Sequence, residues 1–351
     1  MGEWMDPPFD SGQESTAMPS DLTSHNHVGC TSFIYNTSIV PALYWLTFPI
    51  ALVLNGVAAW VSLHLKSTTT FVVYLKNLVA ADLIMTLIIP IKAASDMSSA
   101  SNMLFEFSCR YSSVIFYSTL YACITLLGLI GLDRFFKIVT PRSKFGQNLT
   151  VSKLISASVW LIMFGGTALP NIILSNKSVA NLTENKNCMR FKGPVGLQFH
   201  HNVVIYLNSL FWFVSVVIVV CYICIAKKVI QSFRKSGSNN NQGKKKIKLR
   251  VFLVVIVFFV SFGPYHIVRI PYTFQQVQYS SEASCAYLIG KFAKELSLWL
   301  ATTNICLDPL LYVFLCREFE DKLISLMKNV SILFKVASAG KEEGTLPQSR
   351  F

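Results

Sequence analysis

The sequence predicts an all-α membrane protein: a seven-transmembrane-helix bundle followed by a short amphipathic eighth helix. Three observations lead there. Hydrophobic residues make up 52% of the chain and charged residues only 14%, and the mean hydropathy is +0.48, too apolar for a domain facing water. Apolar runs long enough, or nearly so, to cross a hydrocarbon core of about 30 Å recur seven times. Those runs lack the two-residue alternation of a spanning barrel, so their backbone groups must be satisfied inside helices.

Residues 1–38 carry Glu3, Asp6, Asp10, Glu14 and Asp21 but no Lys or Arg, and are expected to be an extracellular segment without fixed structure except where Cys30 ties it down. Spans are expected at 39–65, 72–91, 111–132, 154–175, 203–226, 244–272 and 296–316. Asn55 falls in the first, Asp82 in the second, and Asp133-Arg134-Phe135 closes the third. The fourth holds Trp160, Gly165-Gly166 and Pro170. The sixth begins in the basic run KKKIKLR and ends with His266, Arg269 and Tyr272. As a helix it separates Arg250 from Arg269 by about 28 Å, and Pro264 is expected to kink it. Residues 232–246 read as a flexible linker. Residues 317–330 mix apolar and charged side chains in the manner of a short helix on the membrane surface, with an unstructured tail beyond it. The expected organisation is thus 1–38, 39–316 and 317–351.

Lys227, Lys228, Arg234, Lys235, Lys244, Lys245, Lys246, Lys248 and Arg250 crowd the connection between the fifth and sixth spans. By the positive-inside rule that loop is cytoplasmic, the N-terminus extracellular and the C-terminus cytoplasmic, as in a multi-pass plasma membrane protein. The net charge of +13 is therefore a topology signal with anionic lipid as its neighbour, not a sign of nucleic-acid binding. Cys30, Cys109, Cys188 and Cys285 fall on the external side, an even set in an oxidising compartment. Asn36, Asn176 and Asn181 are external glycosylation sequons. Asn148 and Asn329 match the same pattern but fall inside.

Ionisable groups within a span are costly and mark function or a structural network. Asp82 and Asp308 have Asn55 and Asn304 as candidate partners. They serve either as hydrogen-bonded glue between helices or as a sodium or proton site on Asp82, Asn304 and Asp308. Asp133-Arg134, where the third span meets the cytoplasm, is either an interfacial anchor or a conformational lock. Arg269 has a plain reading too, snorkelling to the headgroups. Nothing in the chain suggests catalysis: no Walker loop, no metal-ligand cluster and no nucleophile beside a base.

Seven spans with Asn55, Asp82, Cys109, Asp133-Arg134-Phe135, Trp160, Pro264 and DPLLY at 308–312, in that order, resemble the rhodopsin-like G-protein-coupled receptors. FVVYLKNLVAADLIMTL, GLIGLDRFFKIV, LPNIILSN, PYHIVRIPYT and KELSLWLATTNICLDPLLY narrow the resemblance to the ADP and UDP-sugar branch of the purinergic nucleotide receptors, nearest the ADP receptors coupled to the inhibitory G protein. The resemblance implies disulfides Cys109–Cys188 and Cys30–Cys285. It implies ligand contacts at Tyr117, Lys192, His200, His266, Arg269, Tyr272 and Lys294, with the three strong cations on phosphates and Tyr117 against adenine. It also implies a heterotrimeric G protein of the inhibitory class as partner, with Asp133, Arg134, Asp308, Tyr312, Lys227 and Lys228 in coupling or switching. No cofactor is expected beyond a structural sodium ion.

Physical reasoning reaches a phosphorylated ligand as well. Arg190 and Lys192 follow Cys188, His200 and His201 open the fifth span, Arg269 ends the sixth, and Lys291 and Lys294 begin the seventh. In a helix bundle these ends surround one mouth, and phosphate prefers such a set of cations. Tyr117 and Tyr121, one turn apart, can face a base. Phe116 stands where amine receptors carry an aspartate, which speaks against an amine. Val204, Phe105 and Cys123 depart from the branch's usual residues, as does the loop MSSASNML. A UDP-sugar or a lysophospholipid head group would suit the same basic mouth. A transporter would also need intramembrane carboxylates, although no internal repeat is visible.

Overall fold

The computed structural model describes residues 35–66, 68–141, 148–178, 187–235, 241–278 and 285–343. Seven helices in them are long and apolar enough to cross a membrane: Thr37–Leu63, Thr70–Asp96, Asn102–Ile138, Leu149–Ile173, Pro194–Ser232, Phe252–Gln276 and Tyr287–Phe314. They form the first to seventh spans in chain order. An amphipathic helix, Arg317–Glu343, follows. No strand occurs among the described residues. The bundle is inside-out relative to a soluble fold, since Leu46, Leu63, Leu161 and Phe213 lie exposed on its outer faces. Lipid is the solvent that accepts such a surface.

Several helices overrun the apolar stretches that signalled them. The third extends to Asn102 at one end and Ile138 at the other, and the fifth helix continues to Lys235. The sixth starts at Asn241, inside the segment expected to be a linker, and passes Pro264 and Pro271 without a break. Apolar content marks where the hydrocarbon lies, whereas Lys, Arg and Gln prolong a helix beyond it at little cost. The eighth helix likewise runs past Val330 to Glu343, through a stretch that contains no proline, so the expected unstructured tail is corrected there.

Local chemistry sets several ends. The Thr69 hydroxyl caps the second span by accepting from the Val72 amide, and the Asn148 side chain caps the fourth by accepting from Thr150 and Val151. The fourth span widens to π geometry over Leu161–Ala168, the stretch holding its Gly-Gly pair and leading to Pro170.

Without a hydrophobic drive between helices in lipid, close packing and polar contacts join them. A Cβ on Gly128 would meet Val214 Cγ1 at 2.8 Å, so glycine there lets the third and fifth spans touch. Trp160 Nε1 donates to Asn77 Oδ1 at 2.9 Å, fastening the fourth span to the second. Trp299 Nε1 donates to Thr47 Oγ1 at 3.0 Å, fastening the seventh to the first. Asn55 Nδ2, wholly buried, donates to the Ile305 carbonyl at 3.0 Å and to Thr86 Oγ1 at 3.3 Å, tying together the first, second and seventh spans.

A disulfide joins Cys109, at the start of the third span, to Cys188 in the loop before the fifth. Cys30 lies outside the described residues, as does the side chain of Cys285, and so does their expected bond. Asn181 and the side chain of Asn36 are outside them too, while Asn176 is exposed. Arg110 holds the same loop from below, donating to the Lys177 carbonyl at 3.1 Å and lying over the Phe191 ring. Replacing Cys109 by Ser frees a 79-residue separation and should cost about 2–5 kcal/mol. The expected outcome is loss of receptor from the cell surface, read by antibody staining of intact cells; wild-type surface level and ligand response would contradict it.

Candidate functional site

At the disulfide end of the bundle the spans diverge around a cavity of ≈ 140 Å³. The loop residues Cys188, Met189 and Lys192 help to line it, held there by the disulfide. Of the seven expected ligand residues, Tyr117, Lys192, His200, Arg269 and Lys294 line this one cavity, although they come from separate segments of the chain. Arg269 and Lys192 are buried, so their charges are directed into the protein rather than snorkelling outward.

Each cation already has protein partners. Arg269 Nη2 lies 3.5 Å from His200 Nε2, and its guanidinium faces the Tyr117 ring at 5.5 Å. Lys192 Nζ donates to Ser175 Oγ at 2.8 Å and to Asn171 Oδ1 at 3.2 Å. Burial pulls the Lys192 ammonium down to about 8, because the charged form loses water without gaining a carboxylate. Lys294 Nζ bonds the Glu295 carboxylate and reaches Tyr117 Oη at 3.4 Å.

Two of the expected residues stand behind the wall. His266 is stacked on Phe211 with ring centroids 3.7 Å apart and meets the Tyr121 ring edge-on. Its Nδ1 contacts the Phe262 carbonyl at 2.7 Å. His266 and Arg269 share a helical face, but the helix carries His266 one turn deeper, into the aromatic core. Tyr272 pairs through its hydroxyl with Tyr287 at 3.2 Å, and Lys294 Nζ lies 5.3 Å from its ring. Both therefore brace residues of the wall, Tyr121 and Lys294 respectively, instead of lining it.

The cavity also holds groups that sequence reasoning passed over. Tyr265, Asn171 and Gln276 line it, beside the Tyr121 that the sequence places near the base. So do Lys92, Asp96 and Glu295, which with Lys294 form an ion chain. Lys92 Nζ bonds Asp96 Oδ2 at 2.9 Å and Glu295 Oε2 at 3.3 Å, while Glu295 Oε1 takes Lys294. The sequence holds a faint signal of this, since a lysine and an aspartate one turn apart near the end of an apolar span need each other.

Deeper in the bundle Asp82 accepts from Tyr312 Oη and from Cys123 Sγ, the latter at 3.5 Å. Asn304 Nδ2 donates to Asp308 Oδ2 at 2.8 Å, and Asp308 Oδ1 has no hydrogen-bond partner among the described residues. A sodium ion prefers oxygen ligands. The carboxylates and the Asn304 side chain supply them, but Cys123 offers sulfur, so the donor set fits a hard cation only in part.

At the opposite end Asp133 is held by Lys137 at 2.9 Å and by the Thr70 hydroxyl. The Arg134 guanidinium covers the Phe71 ring at 3.8 Å. The structure thus packs Asp133 and Arg134 of the third span against Thr70 and Phe71 of the second, while Lys227 and Lys228 are exposed on the fifth.

Comparison with known proteins agrees with this architecture. The profile of the family described as "7 transmembrane receptor (rhodopsin family)" matches residues 54–312. The chain is 46% identical over 287 residues to purinoceptor 13 of Homo sapiens, covering 81% of this chain and 80% of that receptor. It is 41% identical over 287 residues to purinoceptor 14 of Bos taurus, covering 81% and 84%. It is 40% identical over 313 residues to G-protein coupled receptor 87 of Mus musculus, covering 87% and 85%. The chain belongs to the rhodopsin family of seven-transmembrane receptors and, within it, to the purinergic branch that holds purinoceptors 13 and 14: it is a multi-pass membrane receptor and not an enzyme.

Proposed function

We propose that this receptor answers an extracellular nucleotide, ADP in the first instance, and signals through the inhibitory heterotrimeric G protein to lower cyclic AMP. The observation that carries the reading is the meeting of Arg269, Lys192, Lys294 and His200 with Tyr117 in one cavity. Phosphate oxygens take charge-assisted bonds from the cations, with Arg269 offering a fork. The base stacks against Tyr117, with Tyr121 one turn below. His266 and Tyr272 act by holding Tyr121 and Lys294 in place. The N-terminus is extracellular and the C-terminus cytoplasmic, so the cavity opens outward at the plasma membrane.

The effect of the ligand is a population shift. Each cation it takes must leave a protein partner, which loosens the sixth and seventh spans from the third and the loop. At the other end, moving the sixth span away from Arg134 opens a groove for a G-protein helix beside Lys227 and Lys228. Asp82, Asp308 and the Asn304 side chain would hold a sodium ion, or the two carboxylates would share a proton, either of which would compensate their buried charge; the thiol of Cys123 favours the proton.

A UDP-sugar is the second reading. It is favoured by Asp96 and Glu295 in the cavity, since carboxylates accept from sugar hydroxyls. Applying ADP, UDP-glucose and lysophosphatidylserine to cells in a cyclic-AMP assay separates the candidates. A fall with ADP supports the first reading, a fall with UDP-glucose alone the second, and a response to the lysophospholipid alone would overturn both.

Arg269→Ala should abolish the ADP response at ordinary concentrations while surface expression persists. Loss of one charged hydrogen bond, about 1.5–3 kcal/mol, corresponds to a potency drop of roughly tenfold or more. Unchanged potency would remove Arg269 from the phosphate site. Because Lys192 titrates at about 8, its charge is present below that pH and lost above it. ADP binding to wild-type membranes should therefore weaken between pH 7 and pH 9, and Lys192→Arg should flatten that portion of the profile. Identical profiles for the two receptors would remove Lys192 from the set of phosphate ligands.

A further inference from the structure

Glu295 sits against the cations that a phosphorylated ligand needs. Its Oε2 lies 3.3 Å from Lys92 Nζ on the second span, and its Oε1 bonds Lys294 Nζ on its own span. Lys294 in turn reaches Tyr117 on the third span at 3.4 Å. One carboxylate therefore bridges two ammonium groups at the edge of the cavity, and both lysines are buried. Asp96 supports the chain at its other end, 2.9 Å from Lys92, and is the more exposed of the two acids, with 28% of its side chain accessible against 13% for Glu295. Lys92 also lies 5.5 Å from the Tyr44 ring and 5.9 Å from the Phe116 ring.

Two consequences follow from electrostatics alone. A fixed negative charge inside an anion site repels any anionic ligand, and the repulsion grows in proportion to the ligand's charge. Removing one member of a buried pair also leaves its partners uncompensated, which destabilises the ligand-free protein. An anion entering the cavity then restores the missing counter-charge.

We propose that Glu295 is the charge-selectivity determinant of the cavity: it is the internal counter-ion of Lys92 and Lys294 and limits how negative a ligand the site accepts. The proposal rests on the reading of this cavity as an anion site. In the resting receptor the carboxylate occupies the two lysines. A ligand's phosphate wins Lys294 from it, and each additional negative charge on the ligand meets the same repulsion from Glu295. A carboxylate with a merely structural role would change the binding of all anions alike, whereas a field effect discriminates among them by charge.

The test uses purified full-length receptor and measures its melting temperature with inorganic phosphate, pyrophosphate and tripolyphosphate, none of which carries a nucleoside. In anion-poor buffer Glu295→Gln should melt several degrees below wild type. Each anion should stabilise the variant more than it does wild type. The apparent affinity gain should rise along the series, by a factor on the order of ten for each added charge. Equal gains for all three anions, or none, would overturn the proposal. If Glu295→Gln cannot be purified, Asp96→Asn, at the more exposed end of the same chain, should show the same rising series with smaller gains, and a flat series there would overturn it as well. Lys92→Gln combined with Glu295→Gln restores the charge balance and should return the series to the wild-type slope. The nucleotide reading stands or falls separately, on the response of cells to ADP.

Discussion

A charge buried away from bulk water must find a counter-charge or hydrogen-bond partners within the protein, and the disulfide end of this receptor is built on that constraint. Lys92, Asp96, Glu295 and Lys294 form one chain of alternating sign across the second and seventh spans. Arg269 and Lys192 instead sit among neutral acceptors and aromatic faces: His200 and Tyr117 for the first, Ser175 and Asn171 for the second. The cavity therefore has two electrical characters. One side is an internally neutralised ion chain, and the other is a pair of cations that form no ion pair with a carboxylate among the described residues. An anion has most to gain from the second and must compete for the first.

The same constraint is met differently further in. Asn55, Asp82, Asn304, Asp308 and Tyr312 are all buried, and they bond one another or the backbone across the first, second and seventh spans. Key contacts of this group run between spans rather than along them, so a shift of the seventh span against the second must exchange partners within it. The polar core thereby lies between the cavity and the cluster of Asp133, Lys137 and Thr70 at the opposite end.

Much of this was readable from the residues. The spans, the polar positions within them and the gathering of basic side chains at one end follow from hydropathy and spacing, because lipid tolerates few alternatives to an apolar helix. Helix ends were read less well: apolar runs stop where the hydrocarbon stops, whereas the third, fifth and sixth helices continue through polar turns. Among the site residues, Tyr117, Lys192, His200, Arg269 and Lys294 share a cavity. His266 and Tyr272 do not line it, because a helix rotates each successive side chain by about 100° and spacing alone cannot say which neighbour will intervene. The wall in front of them is taken by Tyr121, against His266, and by Lys294, beside Tyr272.

Composition and periodicity suffice to establish that this chain spans a membrane seven times, which polar groups it buries there, and that its cations cluster toward one face. They suffice because they record the transfer of each segment from water to lipid. How those cations are compensated is a matter of packing between distant segments. Glu295 is adjacent to Lys294 in the chain, yet its second partner, Lys92, is 203 residues away. A pairing at that separation is fixed by how the second and seventh spans meet, and no local pattern encodes it.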